Sequence, residues 1–136
     1  MAVLFSASDL IPVQIADCVF YFSPLKQGDK LQMIQKFQGM GDNPLVALEH
    51  SASLIKATLK RVEGIERSDG TPWKLQFDAN GKPSDESLDE LFSLDFIDKV
   101  IMVGGQFLRG VPQEGHLIDP SSGNPIEGIE VKKIQR

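Results

Sequence analysis

The tightest constraint on what this chain can fold into lies between Asn43 and Gly64. Asn43 followed by Pro44 is a helix start, because Asn accepts from exposed N–H groups of a first turn and Pro pre-sets φ at the first helical position. Gly64 supplies a left-handed stop after Glu63. Between them Leu45, Leu48, Ala52, Ile55, Leu59 and Val62 are spaced 3, 4, 3, 4 and 3. At about 100° per residue these six occupy an arc of roughly 100°, bordered on one side by Glu49, Lys56 and Lys60. The spacing predicts a helix over 44–63 with a narrow apolar seam. Such a seam pairs with another helix, and in one domain the first claimant is the protein's own core.

Upstream, the chain reads as strands. Ile11, Val13 and Ile15 alternate with Pro12, Gln14 and Ala16, the period of a half-buried strand. Cys18 to Phe22 (CVFYF) is a β-branched and aromatic run that Pro24 closes, with Asp17 as a turn or bulge between the two. Asp29 is placed to cap a helix whose Leu31, Met33, Ile34 and Phe37 share a side and which ends near Gly39. Downstream, Asp69-Gly70 marks a hairpin whose second strand carries Trp73, Leu75 and Phe77 on one face. Ser84 or Ser87 starts a short helix through Phe92, and Asp95 caps a helix from Phe96 to about Arg109. That last helix has a wide apolar face, with Gly104 on it as a point of close approach. Beyond Gly110 the chain is rich in Gly and Pro, with a last strand at 129–134. The expected class is α+β: a small N-terminal β-sheet and a central β-hairpin packed against about four helices. Residues 1–110 form one domain and 111–136 an extended C-terminal tail that depends on a partner for order.

A chain of 136 residues is long enough to bury a real core, and 24% charged residues argue against wholesale disorder. The net charge of −5 disfavours nucleic acid, which is held by clustered Lys and Arg. The basic cluster apparent in the sequence, Lys132, Lys133 and Arg136, reads as a solvated tail. Cys18 is the single cysteine, so no internal disulfide is expected. The opening MAVLFSASDL lacks a basic n-region, and no run approaches the roughly 20 apolar residues of a membrane span. The expected location is therefore cytoplasmic, with no membrane partner.

No catalytic constellation emerges. His50 is expected to face water, opposite the apolar seam, and His116 sits in the Gly/Pro-rich tail, so neither stands ready as a base for a nucleophile. Cys18 among aromatic neighbours reads as a buried small hydrophobe. One Cys and two distant His give no zinc spacing, and Asp78-Ala79-Asn80-Gly81 misplaces the glycine of a calcium loop. Neither a metal nor a cofactor is expected. What remains is apolar surface. Leu54, Met102 and Met40 lie off the main faces of their helices and are the candidate protein-binding residues.

Taken in order, three segments resemble the tail assembly chaperones of long-tailed bacteriophages. They are CVFYFSPL (Cys18–Leu25), LKRVEGIERSDGTPWKLQF (Leu59–Phe77) and SLDELFSLDFIDKVIMVGGQF (Ser87–Phe107), within a matched stretch of about 17–109. The resemblance implies a non-enzymatic, oligomeric protein of the host cytoplasm. It would bind the apolar, helical tape-measure protein and recruit tail-tube subunits. Two other readings stay open: a structural virion component such as a head–tail connector or minor tail protein, and a small regulatory or ligand-binding domain.

Overall fold

The computed structural model describes residues 4–6, 8–39, 41, 43–119 and 122–133. Its frame is a five-stranded antiparallel sheet. β1 (Ile11–Ile15) and β2 (Cys18–Phe22) form a hairpin across Ala16 and Asp17, with Ile15 opposite Cys18. Helix α1 (Gln27–Gln38) and helix α2 (Pro44–Thr58) follow, and α2 runs directly into β3 (Leu59–Glu63), which pairs with β2. Two helices, α3 (Asp85–Leu91) and α4 (Ile97–Arg109), precede β4 (Gly115–Ile118) and β5 (Pro125–Val131). The strand order is β3-β2-β1-β5-β4. The α+β class is as expected.

The sheet has one dry face. Ile11 stands opposite Phe22, Val13 opposite Phe20 and Val131, and Ile15 opposite Cys18 and Ile129, all of them buried. Phe22 stacks on Phe107 of α4 with centroids 5.1 Å apart, and Phe20 meets Phe96 edge-on at 6.3 Å. On the opposite face, Tyr21 donates to Glu63 (3.1 Å) and lies under the Arg61 guanidinium, 5.2 Å from its ring centroid. Arg61 and Glu63 also pair with each other. An antiparallel sheet covered by helices on one side and by polar side chains on the other is a two-layer solution.

The expected helix over 44–63 stops five residues early. Asn43 and Pro44 do start it, the Asn43 Oδ1 accepting from the N–H of Leu45 (3.0 Å) and Val46 (3.4 Å). It ends at Thr58, whose hydroxyl donates back to the Leu54 carbonyl (2.8 Å) while its own carbonyl accepts from Ser23 N–H (2.9 Å). The residues after Thr58 carry no local stop signal; the exposed edge of β2 recruits them into the sheet, a tertiary contact overriding propensity. A bulge completes the deception. Arg61 pairs with Tyr21 but Leu59, not Lys60, pairs with Phe22. The extra residue shifts the side-chain parity, so Leu59 and Val62 both point into the core at a three-residue spacing that mimics a helix. Gly64 still ends the element, now a strand, at φ 94°. A Cβ there would sit 3.0 Å from the Asp17 carbonyl oxygen, so the hairpin turn packs on it.

Other expectations shift less. α1 begins at Gln27, ahead of Asp29, which lies in its first turn and caps nothing, and Leu31 is exposed while Met33 is buried. Ser84 is the cap of α3, accepting from Ser87 N–H at 3.2 Å. α4 starts at Ile97 without a side-chain cap from Asp95. Gly104 is a point of close approach as expected: a Cβ there would meet Ile55 Cδ1 at 3.3 Å and Leu54 Cγ at 3.6 Å. The largest correction concerns the C-terminal segment. Expected as a tail outside the domain, it supplies β4 and β5, and Leu117, Ile129 and Val131 are core residues. The last strand expected at 129–134 is found at Pro125–Val131, and position 134 lies outside the described residues.

Candidate protein-binding groove

The true buried face of α2 differs from the expected seam. Leu54 (2% exposed), Ile55 and Thr58 are buried against α4, whereas Leu45 and Leu48, the first members of the seam, are 73% and 55% exposed. Leu54 is therefore a core residue, and its placement among accessible binding residues is corrected. The seam took apolar residues at three- and four-residue steps as its guide, whereas the buried side of α2 lies on the arc of Leu54, Ile55 and Thr58. His50 is corrected for the same reason. It precedes Leu54 by one helical turn, is half-buried, and meets the Phe37 ring edge-on with centroids 5.8 Å apart. Met102 is exposed on α4, and Met40 lies outside the described residues. The two that are described, buried Leu54 and exposed Met102, form no common surface.

The structure assembles a different surface. Leu48 and Ala52 of α2 face Leu88 of α3 and Phe92 just after it across an apolar groove of about 440 Å³. Leu45 lies three residues before Leu48 on the same helix and is also exposed. On α3, Asp85, Leu88 and Phe92 recur at the three- and four-residue steps of one helix face. Ser84 fixes the start of that helix, and Lys56 Nζ bonds Asp85 Oδ1 at 2.6 Å, tying α3 to the end of α2. Carboxylates edge the groove: Glu49, Asp85 and Asp89. Asp85 is paired with Lys56; among the described residues Glu49 and Asp89 make no salt bridge.

A second cleft of about 380 Å³ lies on the other side of α3, where the hairpin docks. Its turn is held by Arg67 N–H to the Thr71 carbonyl (2.8 Å) and by the Asp69 carboxylate, which accepts from both the N–H and the hydroxyl of Thr71. Trp73 and Leu75 are buried as expected, but Phe77 is half exposed. Arg67 bonds Glu90 through Nη1 (2.6 Å) and Nη2 (3.5 Å), which raises the guanidinium pKa and holds the Glu90 carboxyl below the usual range. The Trp73 indole N–H makes no hydrogen bond of good geometry, yet it faces Glu90 closely enough to help lower that pKa. The protein's own Arg67–Glu90 ion pair lines this cleft, whereas the α2–α3 groove is lined mainly by apolar surface.

The groups able to do chemistry stay scattered. Cys18 is buried, donates weakly to the Gly64 carbonyl (3.5 Å), and burial, with Asp17 second, pushes its thiol pKa up. His116 is exposed on β4. Asp78 Oδ1 accepts from the N–H of Asn80 and Lys82, the self-contained turn expected there. Among the described residues no three His, Cys, Asp or Glu side chains cluster as metal ligands, and no helix is long and apolar enough to cross a membrane. No protein-family model, curated protein or solved structure matches the chain.

The sequence signal for the groove was present in Leu45, Leu48 and Ala52. What could not be read was that α2 turns its other side to the core and leaves Leu45 and Leu48 exposed and Ala52 half-buried.

Proposed function

We propose that this protein is a non-enzymatic assembly chaperone of the phage-tail type, and that the α2–α3 groove is where it takes hold of its client. The observation that carries the reading is the exposed pair Leu45 and Leu48, continued by the half-buried Ala52, beside Leu88 and Phe92 between acidic edges. Exposed large apolar side chains in a line, rather than singly, mark an interaction surface. A groove between two helices accepts the apolar face of a third, and the carboxylates of Glu49 and Asp89 favour Lys or Arg on its flanks.

The client is then an amphipathic helix with basic borders. A tape-measure protein awaiting its tube exposes many apolar helical stripes, and reversible cover of each would keep it from aggregating. The three-segment resemblance around CVFYFSPL and the Asp-Gly hairpin supports this assignment independently of the groove. In this reading the protein acts in many copies, recruits tail-tube subunits, and works in the host cytoplasm.

Co-expression with the tape-measure and tube proteins of the same phage, followed by size-exclusion chromatography, tests it. A co-eluting complex with the tape measure is expected, together with absence of the protein from purified virions by mass spectrometry. A fixed copy number in virions would transfer the protein to the connector or minor-tail class.

A further inference from the structure

In a chain with 14 Lys and Arg against 19 Asp and Glu, three lysines nonetheless gather on one side of the helical layer. Lys36 of α1, Lys56 of α2 and Lys82 from the turn after the hairpin line a cavity of about 150 Å³, with Gln32, Ser53 and Asp29. Lys60 lies beside this cluster, where the charges of Lys82 and Lys26 act on it and Asp29 is the one carboxylate that offsets them. None of these lysines is adjacent in sequence to another, so nothing in the linear chain announces the cluster.

The backbone enforces the gathering. Lys60 is the extra residue of the β3 bulge, held half-buried where Leu59 has taken its place opposite Phe22. Lys82 is placed by its own N–H bond to Asp78 Oδ1 (3.1 Å), and Lys56 by its bond to Asp85 (2.6 Å). Like charges repel, and the three lysines that line this cavity share it with one carboxylate, Asp29, while Lys56 pairs with Asp85. Burial, then the charge of Lys82, pushes the Lys60 pKa down.

We infer that this cavity is a binding site for a compact oxyanion, with Lys36, Lys82 and Ser53 as donors. The walls offer ammonium, hydroxyl and amide donors, which match the several acceptor oxygens of a phosphate or a carboxylate. The small volume admits one such group and excludes a nucleotide, since sites for whole small molecules begin near about 300 Å³. Two sources present this chemistry: free inorganic phosphate, and the side-chain carboxylates of an acidic protein segment. The site is separate from the apolar groove, although both use α2, and the Lys56–Asp85 pair stands between them.

Heteronuclear NMR titration of the full chain, at ionic strength held constant with chloride, tests the inference with two probes: inorganic phosphate and a short oligoglutamate peptide. Saturable shifts confined to residues 29–36, 53–60 and 82 are expected with at least one probe. Saturation by phosphate alone assigns a free anion, and tighter saturation by the peptide assigns a protein segment. Lys82→Gln, at an exposed turn position, should keep the dispersed spectrum and weaken binding about tenfold, the loss of one charge-assisted contact. Shifts no larger than those with chloride, or equal binding by Lys82→Gln, would overturn the site.

Discussion

Leu54→Asp and Leu48→Asp, six residues apart on one helix, should have opposite consequences. Leu54 is 2% exposed and packed where α2 crosses Gly104 of α4. Removing that side chain forfeits about 1.5–3 kcal/mol of burial. Placing a carboxylate there without a partner costs several kcal/mol more, or forces its protonation. The sum, about 5 kcal/mol or above, reaches the lower end of the roughly 5–15 kcal/mol that holds a domain of this size together. Leu48 is 55% exposed, so less than half of its side-chain burial is at stake. With the poorer helix propensity of Asp the loss stays near 1 kcal/mol. Urea unfolding followed by Trp73 fluorescence and far-ultraviolet circular dichroism separates the two. Leu54→Asp should lack a cooperative transition, and Leu48→Asp should unfold cooperatively with its midpoint lowered by less than about 1 M. A wild-type midpoint for Leu54→Asp would refute the orientation assigned to α2, and with it the groove.

Further expectations follow from the same contacts. Gly64→Ala should destabilise the protein by more than about 1 kcal/mol in chemical denaturation, because it combines a positive φ with a 3.0 Å approach to the Asp17 carbonyl oxygen. The Glu90 carboxyl is held below its ordinary value of 4.5, chiefly by the Arg67 hydrogen bond, so its contribution to stability is present above that value. It is lost as the pH falls through the lower folded value; the stability gap between wild type and Glu90→Gln should therefore close in acid and be open at neutral pH. Cys18, buried and with its thiol pKa raised, should react with a thiol reagent only at the rate of global opening, and fast labelling in native buffer would contradict its placement.

Most of the fold was legible because its signals were local. The alternation of Ile11, Val13 and Ile15 and the aromatic run at 18–22 marked the strands β1 and β2, with Asp17 left open between turn and bulge, and Asn43-Pro44 and Ser84 marked two helix starts that the side-chain hydrogen bonds bear out. What escaped was set by contacts distant in sequence. Nothing local turns Leu59 from helix to strand; the free edge of β2 does. Nothing local makes 125–131 an inner strand; β1 needs a partner on its other side. The candidate surface moved as well: packing against Gly104 of α4 turns Leu54 inward and leaves Leu48 outward, and Met102 is exposed on α4 itself. The lysine cluster was illegible for the same reason, its members being joined by packing alone.

The account rests on the α2–α3 groove as the client site, and one binding comparison tests it most directly. Wild type and Leu48→Asp, both verified as folded, are titrated by isothermal calorimetry with a basic-flanked amphipathic helical segment of the tape-measure protein. Loss of most of the affinity in Leu48→Asp is the predicted result, since a charge at the centre of the groove removes its main apolar contact. Equal affinity in the two proteins would contradict the account.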